Sequence, residues 1–100
     1  MIFELKRTLF KDDFSVLSIE LNTQAECLTN IDIDDLIYDL FDKTIPRIGY
    51  RRSYRDLVCS DVYYLENGNL GAYYFIPDIF YDGIAKDVEE TMTKYFNVKA

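Results

Sequence analysis

Histidine and tryptophan are absent from this chain of 100 residues, which has only two cysteines, two prolines and four glycines. Without histidine, neither a Ser–His nor a Cys–His catalytic arrangement can be built, and no histidine can complete a zinc site. The cysteines, Cys27 and Cys59, are too few for the disulfide framework of a secreted protein, and they form no CxxC pair. The sequence therefore predicts two free thiols in a reducing cytoplasm, with no metal and no other cofactor.

Phosphate-binding loops and long apolar runs are missing as well. Neither GxGxxG nor GxxxxGK[ST] occurs, no apolar run reaches membrane-spanning length, and Glu4 stands where a signal peptide would carry basic residues. Paired carboxylates can serve as acid and base, but a chain this short has little room for a deep cleft. We predict a single domain over residues 1–100 that is not an enzyme and does not bind a membrane.

Charge is segregated along the chain. Nine acidic residues and no Lys or Arg lie from Asp12 to Asp42, whereas five basic residues and no Asp or Glu lie from Lys43 to Arg55. The net charge of −7 disfavours direct nucleic-acid binding, which requires a surplus of Lys and Arg. A segregated acidic surface steers a positively charged molecule towards itself. The sequence therefore predicts a protein partner with a basic surface.

Hydrophobic periodicity predicts strands and helices in the order ββαββα, over residues 2–10, 14–21, 33–42, 61–66, 70–76 and 83–96. This order favours an α+β fold in which an antiparallel sheet of about four strands carries two helices packed on one face. Two segments have no clean period. Residues 22–30 fit either a short helical turn or a loop, and residues 47–57 fit a loop or an irregular strand.

Four local signals predict where these elements begin and end. Asp32 and Asp82 are suitable N-caps for the two helices. Pro46 should end the first helix, because the residue before a proline is disfavoured in the helical region. Asn67 and Gly68 lie between two aromatic-rich runs and favour a two-residue hairpin turn with positive φ at both positions.

The first predicted helix carries its charges opposite its apolar residues. At helical spacing Asp34, Tyr38 and Asp42 form one row, and Asp35 and Asp39 form the next. Aspartate is a poor helix former and like charges four residues apart repel, and such local conflicts tend to occur at functional positions. We predict that these five residues bind the partner, the alternative being a solvated face. The aspartates lack the glycine and the distal glutamate of an EF-hand, so no metal site is predicted.

The basic segment supplies further candidates for partner binding: Arg51, Arg52 and Tyr54. Arginines beside tyrosines resemble a nucleic-acid patch with stacking groups. In a chain of this charge, ion pairs between these arginines and the acidic helix or the C-terminal acids are favoured, as is an interface of mixed sign.

Tyrosine is abundant, with nine residues in the chain. Tyr63 and Tyr64 are adjacent in one predicted strand, and Tyr73 and Tyr74 are adjacent in the next. Adjacent residues point to opposite faces of a strand, so one tyrosine of each pair can be buried and the other exposed. Cross-strand aromatic packing is the alternative to a binding role, and both can apply, one on each face. Tyrosine is enriched at interface hot spots, and we predict Tyr63 and Tyr73 as secondary partner-binding residues.

A compact, acidic, Tyr-rich α+β domain with an Asp-lined helix resembles bacterial toxin-immunity proteins, including those of contact-dependent growth inhibition systems. The resemblance covers overall character and the one helix. It implies a non-enzymatic inhibitor that binds a basic nuclease toxin and blocks its active site or RNA-binding face. The basic segment from Arg47 to Arg55 departs from the pattern of a pure nucleic-acid mimic.

Two other functions stay open at the level of sequence. One is a phage-encoded anti-defence inhibitor, directed against CRISPR or restriction systems, that mimics nucleic acid and competes with it for the target. The other is a small-molecule enzyme or ligand-binding domain, which would need a buried pocket with converging polar groups.

Overall fold

A computed structural model describes residues 2–25, 28 and 30–99 and confirms the α+β class. One antiparallel sheet has the strand order β1-β2-β4-β3, and its strands are β1 (Phe3–Leu9), β2 (Phe14–Leu21), β3 (Cys59–Tyr64) and β4 (Leu70–Pro77). The helical elements are α1 (Ile33–Leu36), a π-helical segment (Ile37–Thr44), α2 (Pro46–Arg51) and α3 (Asp78–Lys99). No helix in the described part of the chain combines the length and the apolar character needed to cross a membrane.

The two central strands bury one face. Leu17 and Ile19 of β2 lie opposite Tyr74 and Ala72 of β4, and all four side chains are buried. The helices pack on this face, where the Tyr74 hydroxyl donates a hydrogen bond of 2.8 Å to a main-chain carbonyl of the π-helical segment. The other face, which we call the open face, carries the alternate residues of each strand. Burial of each large aliphatic side chain in this core stabilises the fold by about 1.5–3 kcal/mol.

The first predicted helix is present but is only partly an α-helix. It begins at Ile33 as predicted, yet from Ile37 to Thr44 the chain is π-helical, and the Ile45 N–H donates to the Leu40 carbonyl at 2.9 Å, five residues back. An α-helix turns by about 100° per residue, so Ile45 would lie about 180° from Leu36. The wider turn brings Ile45 onto the buried face, where both side chains are fully enclosed.

The prediction that the helical path ends before Pro46 was wrong. Ile45 keeps helical angles, with φ −64° and ψ −44°, and Pro46 is the first residue of α2. Proline is favoured at the first position of a helix because its missing N–H would have no helical partner there. The segment 47–57, which had no clear period, therefore starts as a helix and then runs as a loop to β3.

The prediction that the last helix begins after Asp82 was also wrong, since α3 begins at Asp78. Tertiary contacts hold this extra turn: the Asp78 N–H donates to the Asp13 carbonyl at 2.7 Å, and the Ser15 hydroxyl donates to the Asp78 carboxylate at 2.6 Å. These partners come from the β1–β2 hairpin, far away in sequence, so a local pattern does not reveal them.

The β3–β4 hairpin is confirmed, but its turn differs from the one predicted. Gly68 has a φ of 86°, whereas Asn67 is not among the described residues with positive φ. The Leu65 N–H donates to the Asn69 carbonyl, and the Gly68 N–H donates to the Leu65 carbonyl. This is a three-residue loop closed by a left-handed glycine.

The stretch between β2 and α1 contains backbone turns. The Ala25 N–H donates to the Asn22 carbonyl, and the Leu28 N–H donates to the Ala25 carbonyl. Leu28 is buried in the core. Cys27, one of the two predicted free thiols, lies outside the described residues, and Cys59 is a free thiol as predicted.

Candidate protein-binding surface

The five residues predicted to bind a partner, Asp34, Asp35, Tyr38, Asp39 and Asp42, form what we call the acidic helix face. The helix that carries them begins at a well-formed N-cap, Asp32. The Asp32 carboxylate accepts hydrogen bonds from the main-chain N–H groups of Asp34 and Asp35, at 2.9 and 3.4 Å. This confirms the predicted cap, which satisfies donors that an α-helix leaves open at its start. Because Asp32 caps the helix, the Asp34 and Asp35 carboxylates are not needed there, and both side chains are exposed.

The five predicted binding residues do not have equal access to solvent. Tyr38 is 64% exposed, and Asp34, Asp35 and Asp42 are exposed as well. Asp39 is half-buried, because its carboxylate accepts a hydrogen bond of 2.9 Å from the Tyr95 hydroxyl of α3. Asp39 therefore anchors the helix to α3, and the exposed acidic face consists of the other four residues.

The π-helical geometry changes how these residues are arranged. Hydrogen bonds that span five residues enlarge the helical turn. Side chains that lie directly above one another are therefore more residues apart in the sequence than they are in an α-helix. Residues four apart therefore no longer align along the helix axis in the π-helical segment, and the predicted row of Asp34, Tyr38 and Asp42 spreads around the helix. π-Helical turns are rare, and those inside α-helices are frequently found at functional sites; this segment contains Tyr38, Asp39 and Asp42.

The exposed carboxylates have no internal counterion among the described residues. The ion pairs there join Arg7 to Asp78 and Asp82, and Arg52 to Asp87. None involves the acidic helix face, although the sequence predicted pairs between the arginines and either this helix or the C-terminal acids. Within the described ranges, no three His, Cys, Asp or Glu residues are placed to hold a metal ion.

Arg52 of the basic segment pairs with the C-terminal acids. Its guanidinium donates to both carboxylate oxygens of Asp87, at 2.7 and 2.8 Å. This hydrogen bonding lowers the pKa of Asp87 and raises that of Arg52. Gly83 of α3 allows the guanidinium to lie against the helix, since a Cβ there would come within 3.2 Å of the arginine. The role of Arg52 in this structure is to tie the end of α2 to α3.

Arg51 instead lines a surface cleft of about 350 Å³ between the helices, together with Thr44, Asp87, Glu90, Thr91 and Lys94. The lining contains both signs of charge, and the two cationic side chains lie on different helices. The cleft is open and polar, unlike the apolar, enclosed pockets typical of small-molecule sites.

Tyr54 belongs to a small cluster near the start of α3. Its ring packs 5.0 Å from the Phe80 ring, and the Arg55 guanidinium lies 5.1 Å from its centre while donating to its hydroxyl. The loop turns back tightly here, because Gly49 lies so close to Arg55 that a Cβ would overlap the Arg55 carbonyl oxygen. These contacts give Tyr54 a structural role in the loop.

Tyr63 and Tyr73 lie on the open face of the sheet, opposite the helices. Their rings meet edge-on at 6.3 Å, and an aromatic row continues from Tyr73 to Phe75 at 5.8 Å and from Phe75 to Phe10 at 5.0 Å. The predicted division of the pairs is met in part by β4, where Tyr74 is buried but Tyr73 is half-buried and not fully exposed. It fails in β3, where Tyr64 is 66% exposed at the end of an edge strand.

The predicted binding residues therefore fall on different parts of the molecule. The acidic helix face lies on the helical side, and the aromatic row lies on the opposite side of the sheet. Phe10 and Phe75 were missed by sequence reasoning. For Phe75 a signal existed, since it lies two residues after Tyr73 and so shares its face, whereas Phe10 follows β1 and its position depends on the hairpin turn.

Cys59 lies opposite Tyr74 in the sheet, and the Tyr74 side chain is buried whereas that of Cys59 is half-buried. Burial raises the pKa of the Cys59 thiol and the Tyr74 phenol, and the nearby Asp42 carboxylate adds to both effects. A thiol must ionise to act as a nucleophile, so this environment keeps Cys59 in its unreactive form.

Comparisons with known proteins give no relative for this chain: no protein-family model, no curated protein and no solved structure matches it.

Proposed function

We propose that this protein is a non-enzymatic inhibitor that uses its acidic helix face to bind a basic surface on another protein, in the manner of an immunity protein that neutralises a nuclease toxin. One observation carries the proposal: Asp34, Asp35 and Asp42 are exposed on the same helical stretch as the exposed Tyr38 and have no ion-pair partner among the described residues.

Physical chemistry supports this arrangement as a binding surface. Carboxylates without internal counterions project a negative field that accelerates the approach of a cationic protein. On contact they can accept charge-assisted hydrogen bonds from Arg and Lys. A tyrosine among them supplies apolar area and a hydroxyl, the combination found at interface hot spots.

The packing beneath supports a rigid surface. The Asp39–Tyr95 hydrogen bond and the Tyr74 hydroxyl, which bonds the Phe41 carbonyl, both fix the π-helical segment to the rest of the fold. A preorganised surface loses less conformational entropy when it binds.

The test takes as its probe a basic protein that the immobilised chain captures from its native host, identified by mass spectrometry, and compares Asp35→Asn with Asp12→Asn. Both substitutions remove one negative charge, but Asp12 lies in the β1–β2 turn at positive φ, which asparagine tolerates. We expect Asp35→Asn to slow association severalfold at low salt and to weaken its dependence on ionic strength, whereas Asp12→Asn should have a much smaller effect. Equal effects would show that net charge alone matters and would refute a local binding face.

A second substitution distinguishes long-range electrostatic steering of the partner from direct contact in the complex. Tyr38→Ala leaves the charge unchanged, so we expect it to increase the dissociation rate and to leave the association rate nearly unchanged. Inhibition of the probe's nuclease activity should weaken in parallel with affinity. A probe that binds all three variants like the original protein would count against the proposal.

A further inference from the structure

β1 is an edge strand whose outer side is unpaired within the described residues. The Asn22 N–H donates to the Ile2 carbonyl, and the Phe10 N–H donates to the Phe14 carbonyl. Antiparallel residues alternate between hydrogen-bonded and non-hydrogen-bonded pairs, so even-numbered residues of β1 direct their main-chain groups at β2. The main-chain groups of Phe3, Leu5, Arg7 and Leu9 therefore point outwards.

Of the usual protections of an edge strand, β1 has only charged side chains, those of Glu4, Lys6 and Arg7. β1 contains no proline, and its pairing with β2 is regular over all seven residues. An edge with neither a proline nor a bulge can pair with another strand whose charges complement its own. Arg7 is the one inward-directed charge, and its guanidinium is already bonded to Ser15 and Asp78 on the helical side of the sheet.

The sequence of β1 selects a register for pairing with itself. In a two-fold antiparallel pair centred on Leu5, Glu4 of each copy lies opposite Lys6 of the other copy. Phe3 of each copy likewise lies opposite Arg7 of the other. Opposite charges across strands stabilise a pair and like charges destabilise it. Centring on Glu4, Lys6 or Arg7 would place two like charges directly opposite each other. Centring nearer an end of the strand would shorten the overlap.

The same register uses the free main-chain groups. Phe3, Leu5 and Arg7 are the residues that meet as hydrogen-bonded pairs, and they are the ones whose N–H and C=O groups point outwards. Glu4 and Lys6 are exposed on the open face, where no helix stands between them and a second copy.

We propose that β1 pairs with β1 of a second copy of this chain, antiparallel and centred on Leu5, to form one sheet that continues across the dimer. This interface is separate from the acidic helix face, so a failure of the dimer proposal would leave the proposed inhibitor function unaffected, and the reverse also holds.

Charge reversal tests the register. We expect the unmodified protein to show a reversible monomer–dimer equilibrium by sedimentation over a concentration series. Glu4→Lys or Lys6→Glu should each weaken the dimer about tenfold or more, because two attractive pairs become repulsive. Mixing the two single variants should restore association as a heterodimer, and the double variant Glu4→Lys/Lys6→Glu should restore the homodimer.

A control separates local from global charge. Glu66→Lys makes the same charge change in the exposed β3–β4 loop and should leave dimerisation unaffected. Glu4 also lies opposite Glu20 within one chain, so Glu4→Lys should stabilise the monomer while it weakens the dimer. Loss of dimerisation in this variant is therefore not a loss of folding, which far-UV circular dichroism verifies.

Amide hydrogen exchange tests directly which main-chain N–H groups of β1 form hydrogen bonds across the dimer. Exchange at the Phe3, Leu5 and Arg7 N–H groups should slow as concentration rises, whereas Glu4, Lys6 and Thr8 should be protected at every concentration. A protein that stays monomeric throughout overturns the proposal. So does a dimer that Glu4→Lys does not weaken, or one in which these three amides stay unprotected, since its interface then lies elsewhere.

Discussion

The Tyr95 hydroxyl donates a hydrogen bond of 2.9 Å to the Asp39 carboxylate, joining the C-terminal part of α3 to the π-helical segment. This contact gives Asp39, which the sequence predicts to bind a partner, a structural role in holding the neighbouring acidic residues in place. It also makes the stability of the fold sensitive to alkaline pH, because the phenol must keep its proton to donate.

We expect the free energy of unfolding to fall at high pH. Burial, together with the hydrogen bond to Asp39, raises the pKa of Tyr95 to about 12, whereas an unfolded tyrosine ionises near pH ~10. Because the folded state holds this proton more tightly, its stabilising contribution is complete below pH ~10 and is lost as the pH rises to about 12. Urea denaturation measured over this range checks the prediction.

Tyr95→Phe provides the comparison for the alkaline experiment. The variant has no phenol to ionise at this position, so its stability should decline less steeply with pH than that of the original protein. The free energy of unfolding of the variant should still fall somewhat at high pH, because burial also raises the pKa of Tyr74, whose proton the folded state therefore holds more tightly. Identical slopes for the two proteins would contradict the assignment to Tyr95.

Tyr74→Phe should cost about 1–3 kcal/mol of unfolding free energy. The Phe41 carbonyl cannot find a donor five residues along, because that residue is Pro46, which has no N–H. The Tyr74 hydroxyl supplies the missing donor at 2.8 Å from inside the core. Chemical denaturation at neutral pH measures the loss.

Pro46→Ala makes this explanation testable. The new N–H can bond the Phe41 carbonyl, so Tyr74→Phe should cost less in the Pro46→Ala background than in the original one. An equal cost in both backgrounds would mean that the hydroxyl acts through packing and not through this carbonyl.

Arg52→Gln should raise the pKa of Asp87 towards its ordinary value, because hydrogen bonds from the guanidinium hold it low. A carboxylate with a lowered folded-state pKa contributes stability that is complete above its unfolded value, near ~3.9, and is lost as the pH falls through the lower folded value. NMR titration of the Asp87 carboxyl carbon measures the shift. Lys94→Gln, which changes the charge of the same cleft without touching Asp87, should leave the titration nearly unchanged.

Gly49→Ala should destabilise the protein by about 1–3 kcal/mol or more. The added methyl group would overlap the Arg55 main-chain carbonyl, which cannot move aside as a flexible side chain can. Gly83→Ala is the matched control, since its methyl group would meet only the Arg52 side chain, and alanine is favoured in a helix by up to ~1 kcal/mol. Thermal denaturation should show a large drop for the first variant and little change for the second.

Much of the fold could be predicted where the pattern is local. The alternation in β2 places Leu17, Ile19 and Leu21 in the core as expected, and Asp32 caps its helix. The first turn of α3 was missed because its partners, Asp13 and Ser15, come from a distant hairpin.

The candidate site was harder to predict than the fold. The acidic residues could be placed on one helix from their spacing, but the π-helical geometry follows from how Leu40 and Ile45 both reach the core. That is a property of packing, and a pattern with the period of an α-helix does not contain it. The bond from Tyr95 to Asp39 spans more than half the chain, and no nearby sequence signal indicates it.

The π-helical segment has a consequence for sequence change over evolution. Each of its turns holds more residues than an α-helical turn, so the segment behaves like an α-helix that has gained residues by insertion. Loss of one residue near Tyr38 could relax it to ordinary α-helix, with the buried side chains adjusting around the core. Such a deletion would chiefly re-space the carboxylates on the surface, and homologues could acquire new charge patterns in this way without a new fold.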